Sequence, residues 1–502
     1  MTVFAVLTGP FPKLGVVLVA LLAAVVLLAR EPRLRAGAMV GALVLAPVLL
    51  LADIWHSPQL ATVHRHPLVA VAGAVVLVAA VAAGAFAIYR RPALIAILAV
   101  LALPFRIPIQ AGGITSNLLV PLYFVVAAGT LASVVPALRG TERDSAYRPG
   151  WIERLLALYL VVYALQATYS SDFEKALQNI VFFYVPFTLL FALLARVEWT
   201  PRLIRACAQL VAAMAVVFAL IAFGEYATKT VILNTKLVVQ NDLHAYFVVN
   251  SVFFDPDIFG RFLALVMITL AVVLLYDRPR REQVTITAVL AVLWAGLVLT
   301  LSRSSLGALL VGLGVLAALR WRLTRAAVAA AVVVGVGAAA IAVSPTTFGI
   351  NQGLNGASSG RGSLISGGVR LFRDRPVWGF GSGSFETAYH AHNRGSGQLT
   401  ASHTIPITIA AEQGLIGELA YLALVLTAAI VLLRGARADP ARAAIAAAFI
   451  ALMFHTLLYA DFLEDPFTWA LLGIGAALAC APDAAVLLAT ARGGREPAPV
   501  PA

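Results

Sequence analysis

Four arginines fall within fifteen positions of one polar stretch: Arg361, Arg370, Arg373 and Arg375. Only Asp374 opposes them there, and Gly379, Gly381 and Gly383 follow, alternating with Phe380 and Ser382. A guanidinium fork pairs with phosphate oxygens through two parallel hydrogen bonds. Alternate glycines let the backbone approach a ligand closely or turn with positive φ. Together these residues suit a phosphate or diphosphate. The alternative is that the arginines meet lipid headgroups and the glycines simply permit turns. His403 stands at the junction of this stretch with the next apolar segment, and Glu412 lies nine residues further on. A histidine at a membrane surface can act as a general base, or it can merely cap the helix it precedes. Arg303, in TLSRSSLGALL, interrupts an apolar run. Such an arginine is costly unless it serves a site or snorkels to the headgroups. Asp255, Asp257 and Arg261 open another segment and are expected to pair among themselves. His390 and His392 stand near Glu386. They read as structural, so no metal site is expected there.

The elements that must position these residues are membrane spans. Of 502 residues, 61% are apolar and 12% charged, about half the charged share of a soluble protein. That balance excludes a cytosolic enzyme and a disordered or collagen-like chain. The apolar segments are too long and numerous for a single anchor on a soluble domain. The expected fold class is an all-α polytopic membrane protein. Candidate spans are 14–29, 36–54, 67–89, 93–105, 117–138, 151–168, 177–195, 203–224, 258–276, 284–301, 304–319, 326–343, 404–433, 443–460 and 467–482. The fourth is short and runs into Pro104 and Pro108, so it reads as a half-helix or a kinked span. The gap at 301–304 is either a boundary or a break in one helix.

Charge gives the expected orientation. Four of the 36 basic residues are lysines, and the net charge is +12. Most of that charge lies in short loops, where it sets topology rather than marking a nucleic-acid partner. The arginine-rich loops near 30–35, 90–91, 139–154, 196–205, 278–281, 320–325, 434–442 and 492–495 alternate without a break. They are assigned to the cytoplasm, with the N-terminus outside and the C-terminus inside. Two long loops, 225–257 and 344–403, then lie outside. Seven of the eight histidines fall in outer loops, and His455 sits near the outer end of its span. A long polar loop in a chain of short ones is where function is expected. Cys207 and Cys480 lie in or beside apolar segments, which argues against a disulfide framework. Residues 492–502 read as a disordered tail.

The ordered set of motifs resembles the O-antigen ligase and O-antigen polymerase superfamily of bacterial envelopes. The matching pieces are Ser302-Arg303, Arg361, Arg375-Pro376 with Gly379, Gly381 and Gly383, and His403 with Glu412, Gly414 and Gly417. The sequence departs from that pattern at Thr404, where the family often has Asn, and at Asp257, also matched by Asn. The family usually has about twelve spans with both ends cytoplasmic. Residues 1–90 are therefore read as an N-terminal addition of about three spans. Residues 91–491 are read as the core, with 344–403 as its large extracytoplasmic loop.

The resemblance implies a membrane glycosyltransferase of the plasma (inner) membrane, working on its outer side. The implied donor is a glycan on undecaprenyl diphosphate, and the implied acceptor is a hydroxyl of another glycan or glycolipid. Inversion without a metal or other cofactor is implied. The leaving diphosphate needs positive charge rather than a proton, so Arg303 and Arg361 take that catalytic role. Arg370, Arg373, Arg375, Gly379, Gly381, Gly383 and Glu412 are implied substrate contacts. His403 takes the proton of the attacking hydroxyl. A polymerase using the same donor is the nearest alternative. A transporter or flippase for a lipid-linked glycan is more distant, since it calls for mid-membrane charges and paired repeats.

Overall fold

The computed structural model describes residues 9–55, 64–111, 114–140, 148–232, 237–238, 241, 246–275, 279–321, 324, 361–392 and 404–480. In chain order the helices are α1 (Pro10–Leu28), α2 (Pro32–Ile54), α3 (Pro67–Arg90) and α4 (Leu94–Ala102). A short hairpin follows, β1 (Ile107–Ala111) paired antiparallel with β2 (Ile114–Leu118). Then come α5 (Val120–Arg139), α6 (Trp151–Ala167), α7 (Phe173–Asn179), a π turn (Ile180–Tyr184), α8 (Val185–Leu194) and α9 (Pro201–Thr228). The last are α10 (Pro256–Leu275), α11 (Arg280–Leu299), α12 (Arg303–Arg320), α13 (Arg361–Asp374), α14 (Phe385–His392), α15 (Ile405–Leu433), α16 (Pro440–Thr456) and α17 (Pro466–Cys480). The chain is an all-α polytopic membrane protein. Ten stretches of described helix are long and apolar enough to cross a membrane, and α16 and α17 are shorter apolar helices. The expected span at 326–343 lies outside the described residues.

Sequence chemistry sets many of the helix starts. Proline occupies the first position of α1, α2, α3, α9, α10, α16 and α17, where its missing N–H costs no intrahelical bond. Inside the Phe173–Leu194 run, Pro186 cannot donate to the carbonyl four residues back. That carbonyl, Phe182 O, instead accepts from Tyr123 Oη at 2.8 Å, and the backbone widens into the π turn just before Pro186. The short α4 ends just before Pro104, as the half-helix reading anticipated. The 301–304 gap is a true boundary: Leu301 takes a left-handed φ of 51° between two separate helices.

Packing ties the first helices to the rest. α1 packs against α6 and α2 packs against α5, and their buried Val16, Val19, Ala23 and Ala42 share one core with α6 and α8. α3 leaves Leu68, Val69 and Val76 outward, a surface that suits hydrocarbon rather than water. α16 is central. Its alanines at 443, 446, 447, 448 and 451 are buried, and they let α10, α12, α15 and α17 approach it closely.

The stretch read as a long polar loop is partly helical. In α13, Leu364 and Leu371 turn inward while Arg370 and Arg373 face out. The two leucines join Phe380, Phe385, Ala388, Tyr389 and Ala411 in a small second core.

Candidate functional site

The head of α12 is fastened from three sides. Ser302 is its N-cap, accepting from the Ser305 N–H at 3.2 Å. The Ser302 hydroxyl donates to Asp257 Oδ1, and the Ser304 hydroxyl donates to the same oxygen at 3.0 Å. Ser305 Oγ donates to the Asp257 carbonyl at 3.1 Å. His455 Nε2, from the last turn of α16, lies 3.2 Å from Ser304 Oγ. The serines and His455 are buried, whereas Arg303 between them is exposed.

The turn from α16 to α17 continues this polar end of the bundle. Tyr459 Oη donates to Asp255 Oδ2 at 2.8 Å, and Arg261 pairs with Asp465 at 3.0 Å with both side chains buried. The expected pairing within the 255–261 segment is therefore corrected. Asp257, one helical turn from Arg261, accepts from α12 through Oδ1, and the guanidinium reaches a carboxylate some two hundred residues away. Thr404, the residue after His403, donates to Leu457 O at 3.2 Å. The start of α15 therefore meets the end of α16, which in turn meets the head of α12. His403 itself lies outside the described residues.

Asn179 Nδ2 donates to Glu464 Oε1 at 3.0 Å. Burial pushes the Glu464 carboxyl up to about 7, with Asp461 adding to the rise and Lys175 and Arg106 opposing it. Its unfolded value is near 4.3, so the folded state holds a proton that the unfolded chain has lost. This contribution to stability is complete below the unfolded value and is lost as pH rises through the folded one, by about 1.4 kcal/mol per pH unit between them. Glu464→Gln should flatten this decline. Thermal unfolding in detergent from pH 4 to 9 checks it; parallel curves for the two proteins would exclude a proton on Glu464.

The glycine-rich loop is laced into a break in α15. Gly414 has a φ of 63° and interrupts the helix. The break releases groups that the helix would have paired, and the loop takes them up. Phe380 N–H donates to Ala411 O at 3.2 Å and Gly381 N–H to Glu412 O at 2.7 Å. Leu415 N–H donates to Pro376 O at 2.7 Å, and Gln166 Nε2 donates to Gln413 O at 2.9 Å. The Glu412 carboxylate accepts from Gly383 N–H at 2.8 Å and from Phe385 N–H at 3.0 Å. Helix-breaking geometry within an apolar span is tolerated only when such partners exist. A Cβ on Gly379 would meet the Glu412 carbonyl, and one on Gly381 would meet the Ser170 backbone. These glycines therefore face protein backbone, and Glu412 faces the loop.

Arg375 is exposed and lies over the Phe380 ring at 4.5 Å. It lines an open cavity of about 650 Å³ with Tyr169, Pro376, Val377, Trp378 and Gly379. Arg361 heads α13, and Arg370 and Arg373 lie on that helix's outer face. Nearby, His392 Nε2 is 3.8 Å from Asp374 and His390 Nε2 is 4.0 Å from Glu386. Among the described residues no three His, Cys, Asp or Glu side chains gather as a metal site.

Residues 286–422 match the O-antigen ligase family. The match covers 137 of the chain's 502 residues. The matched span runs from within α11 through the head of α12, the arginine-bearing helix α13 and the laced loop to the break in α15. No curated protein matches the chain. Sequence reasoning missed Ser304, Ser305 and Tyr459 as site neighbours, and it gave His455 a place but no role. A histidine buried in an apolar span was the available signal.

Proposed function

We propose that the protein is a membrane glycosyltransferase of the O-antigen ligase type. It moves a glycan from undecaprenyl diphosphate to a sugar hydroxyl on the outer side of the plasma membrane. The observation that carries this reading is the family match over 286–422, with Arg303 exposed at a buried, hydrogen-bonded helix head inside it. The leaving diphosphate gains charge as the glycosidic bond breaks. Preorganised guanidinium groups stabilise that charge without a proton. Arg303 serves this role with Arg361, while Arg370, Arg373 and Arg375 extend the positive surface along α13 and the loop. The acceptor hydroxyl gives its proton to His403. Glu412 and the three glycines act by holding the loop that carries Arg375.

The test is reconstitution. Purified protein in liposomes is given a lipid-diphosphate-linked glycan and a glycan acceptor, and the transferred product is measured. Arg303→Lys and Arg361→Lys should each lose transfer by about tenfold or more, because an ammonium cannot reproduce the bidentate fork. Full activity in both lysine variants would remove the diphosphate role. The side of the membrane is tested separately. A cysteine placed in the stretch 344–403 should react in intact cells with an impermeant maleimide, while one at Ala502 should be protected. The reverse pattern would overturn the orientation.

A further inference from the structure

Asp257 draws the three serines at the head of α12 together. Each serine hydroxyl has one hydrogen to give. Ser302 and Ser304 both give theirs to Asp257 Oδ1, and Ser305 gives its own to the Asp257 carbonyl. Ser302 Oγ also lies 2.7 Å from Ser305 Oγ, and His455 Nε2 lies 3.2 Å from Ser304 Oγ and 3.4 Å from Ser305 Oγ. The helices are also as close as they can be at this point: a Cβ on Gly260 of α10 would lie 2.8 Å from Ser305 Oγ and 3.0 Å from Thr300 Oγ1.

The consequence falls on the one residue of this turn that is exposed. Positions 302, 304 and 305 are locked to α10 and α16, which leaves the backbone of 303 a single direction in which to present its side chain. Leu301, in a left-handed conformation immediately before the turn, is the strain that the lock sustains. We propose that Asp257 is the positioning residue for Arg303, holding the first turn of α12 so that the guanidinium meets the donor diphosphate in a fixed geometry. This rests on the diphosphate role given to Arg303 above.

Two measurements test it. The first needs no donor. A nitroxide attached at Arg303→Cys should be more mobile with Asp257→Ala than without it, while Asp257→Asn should leave it nearly as ordered. The amide oxygen of Asn can still accept from both serines. Unchanged mobility in Asp257→Ala overturns the proposal, even if the enzyme transfers glycan normally. The second is a double-mutant cycle on transfer. Asp257→Ala should raise the donor KM about tenfold with Arg303 present and have little further effect in Arg303→Ala. Asp257→Asn should recover most of the loss. Equal losses in both backgrounds overturn the positioning role and leave Asp257 as a general support of the fold. If the label loosens as expected but the wild-type protein transfers nothing, the positioning stands and the glycosyltransferase reading fails.

Discussion

His403→Ala should lower glycan transfer by about a hundred- to ten-thousand-fold, the range that a positioned proton acceptor contributes. The expectation rests on where its neighbour is held. Thr404 donates to Leu457 O, and Leu457 follows His455 by two residues at the end of α16. That end is bonded to Ser304 beside Arg303. Thr404 and Arg303 thus belong to one end of one bundle. Binding of the lipid donor should survive in the alanine variant, because the arginines remain. Wild-type activity should fall as the imidazole protonates at low pH, since the protonated ring cannot accept the hydroxyl proton. His390→Ala is the internal control and should keep most activity: its ring lies on α14, 4.0 Å from Glu386, and it is none of the motif residues that carry the resemblance. Equal loss in the two variants would point to folding of this stretch, and full activity in His403→Ala would leave the arginines as the main catalytic device.

Gly381→Ala is expected to cost about 3 kcal/mol or more, combining a left-handed backbone with overpacking. Gly381 has a φ of 99°, and a Cβ there would clash with Ser170 Cα. The atom it meets is backbone, so no side-chain rotation relieves the contact. Displacing Gly381 would also take its N–H from Glu412 O and disturb the neighbouring bond from Ser171 N–H to Phe380 O. The loop would lift from the break in α15. Thermal unfolding in detergent and protease sensitivity near 376–385 check this. Gly73→Ala, in α3 with nothing within 4 Å of the new Cβ, should leave both measurements unchanged. A Gly381→Ala protein as stable as the Gly73 variant would mean that the loop does not sit against Ser170.

Most of the fold was legible because a bilayer leaves the chain few choices. Long apolar runs, prolines at their starts and arginines between them mark spans from α1 to α17 with no reference to tertiary contacts. The exception is the hairpin at 107–118, where the sequence suggested only the end of a short helix at Pro104. The site was legible as a set of residue types but not as a set of contacts. Asp257 and Ser302 are forty-five positions apart, and Arg261 and Asp465 are farther still. Nothing local told Asp257 to choose α12 over its own Arg261. Gly414 was also ambiguous: the Gly414 and Gly417 spacing suits close helix packing, yet the structure uses Gly414 to stop the helix. Whether a glycine packs or breaks depends on what waits opposite, and Pro376 to Gly381 waited there.

The laced break also constrains the order of biogenesis. Residues 376–383 are synthesised before α15, and they carry the donors and acceptors that its interrupted turn lacks. An isolated α15 entering the bilayer would bring open backbone groups with it. The loop must therefore already have reached its own side when residues 405–433 leave the translocation machinery. A variant that delays the loop, rather than one that weakens the span, would be the one to strand this helix half-inserted.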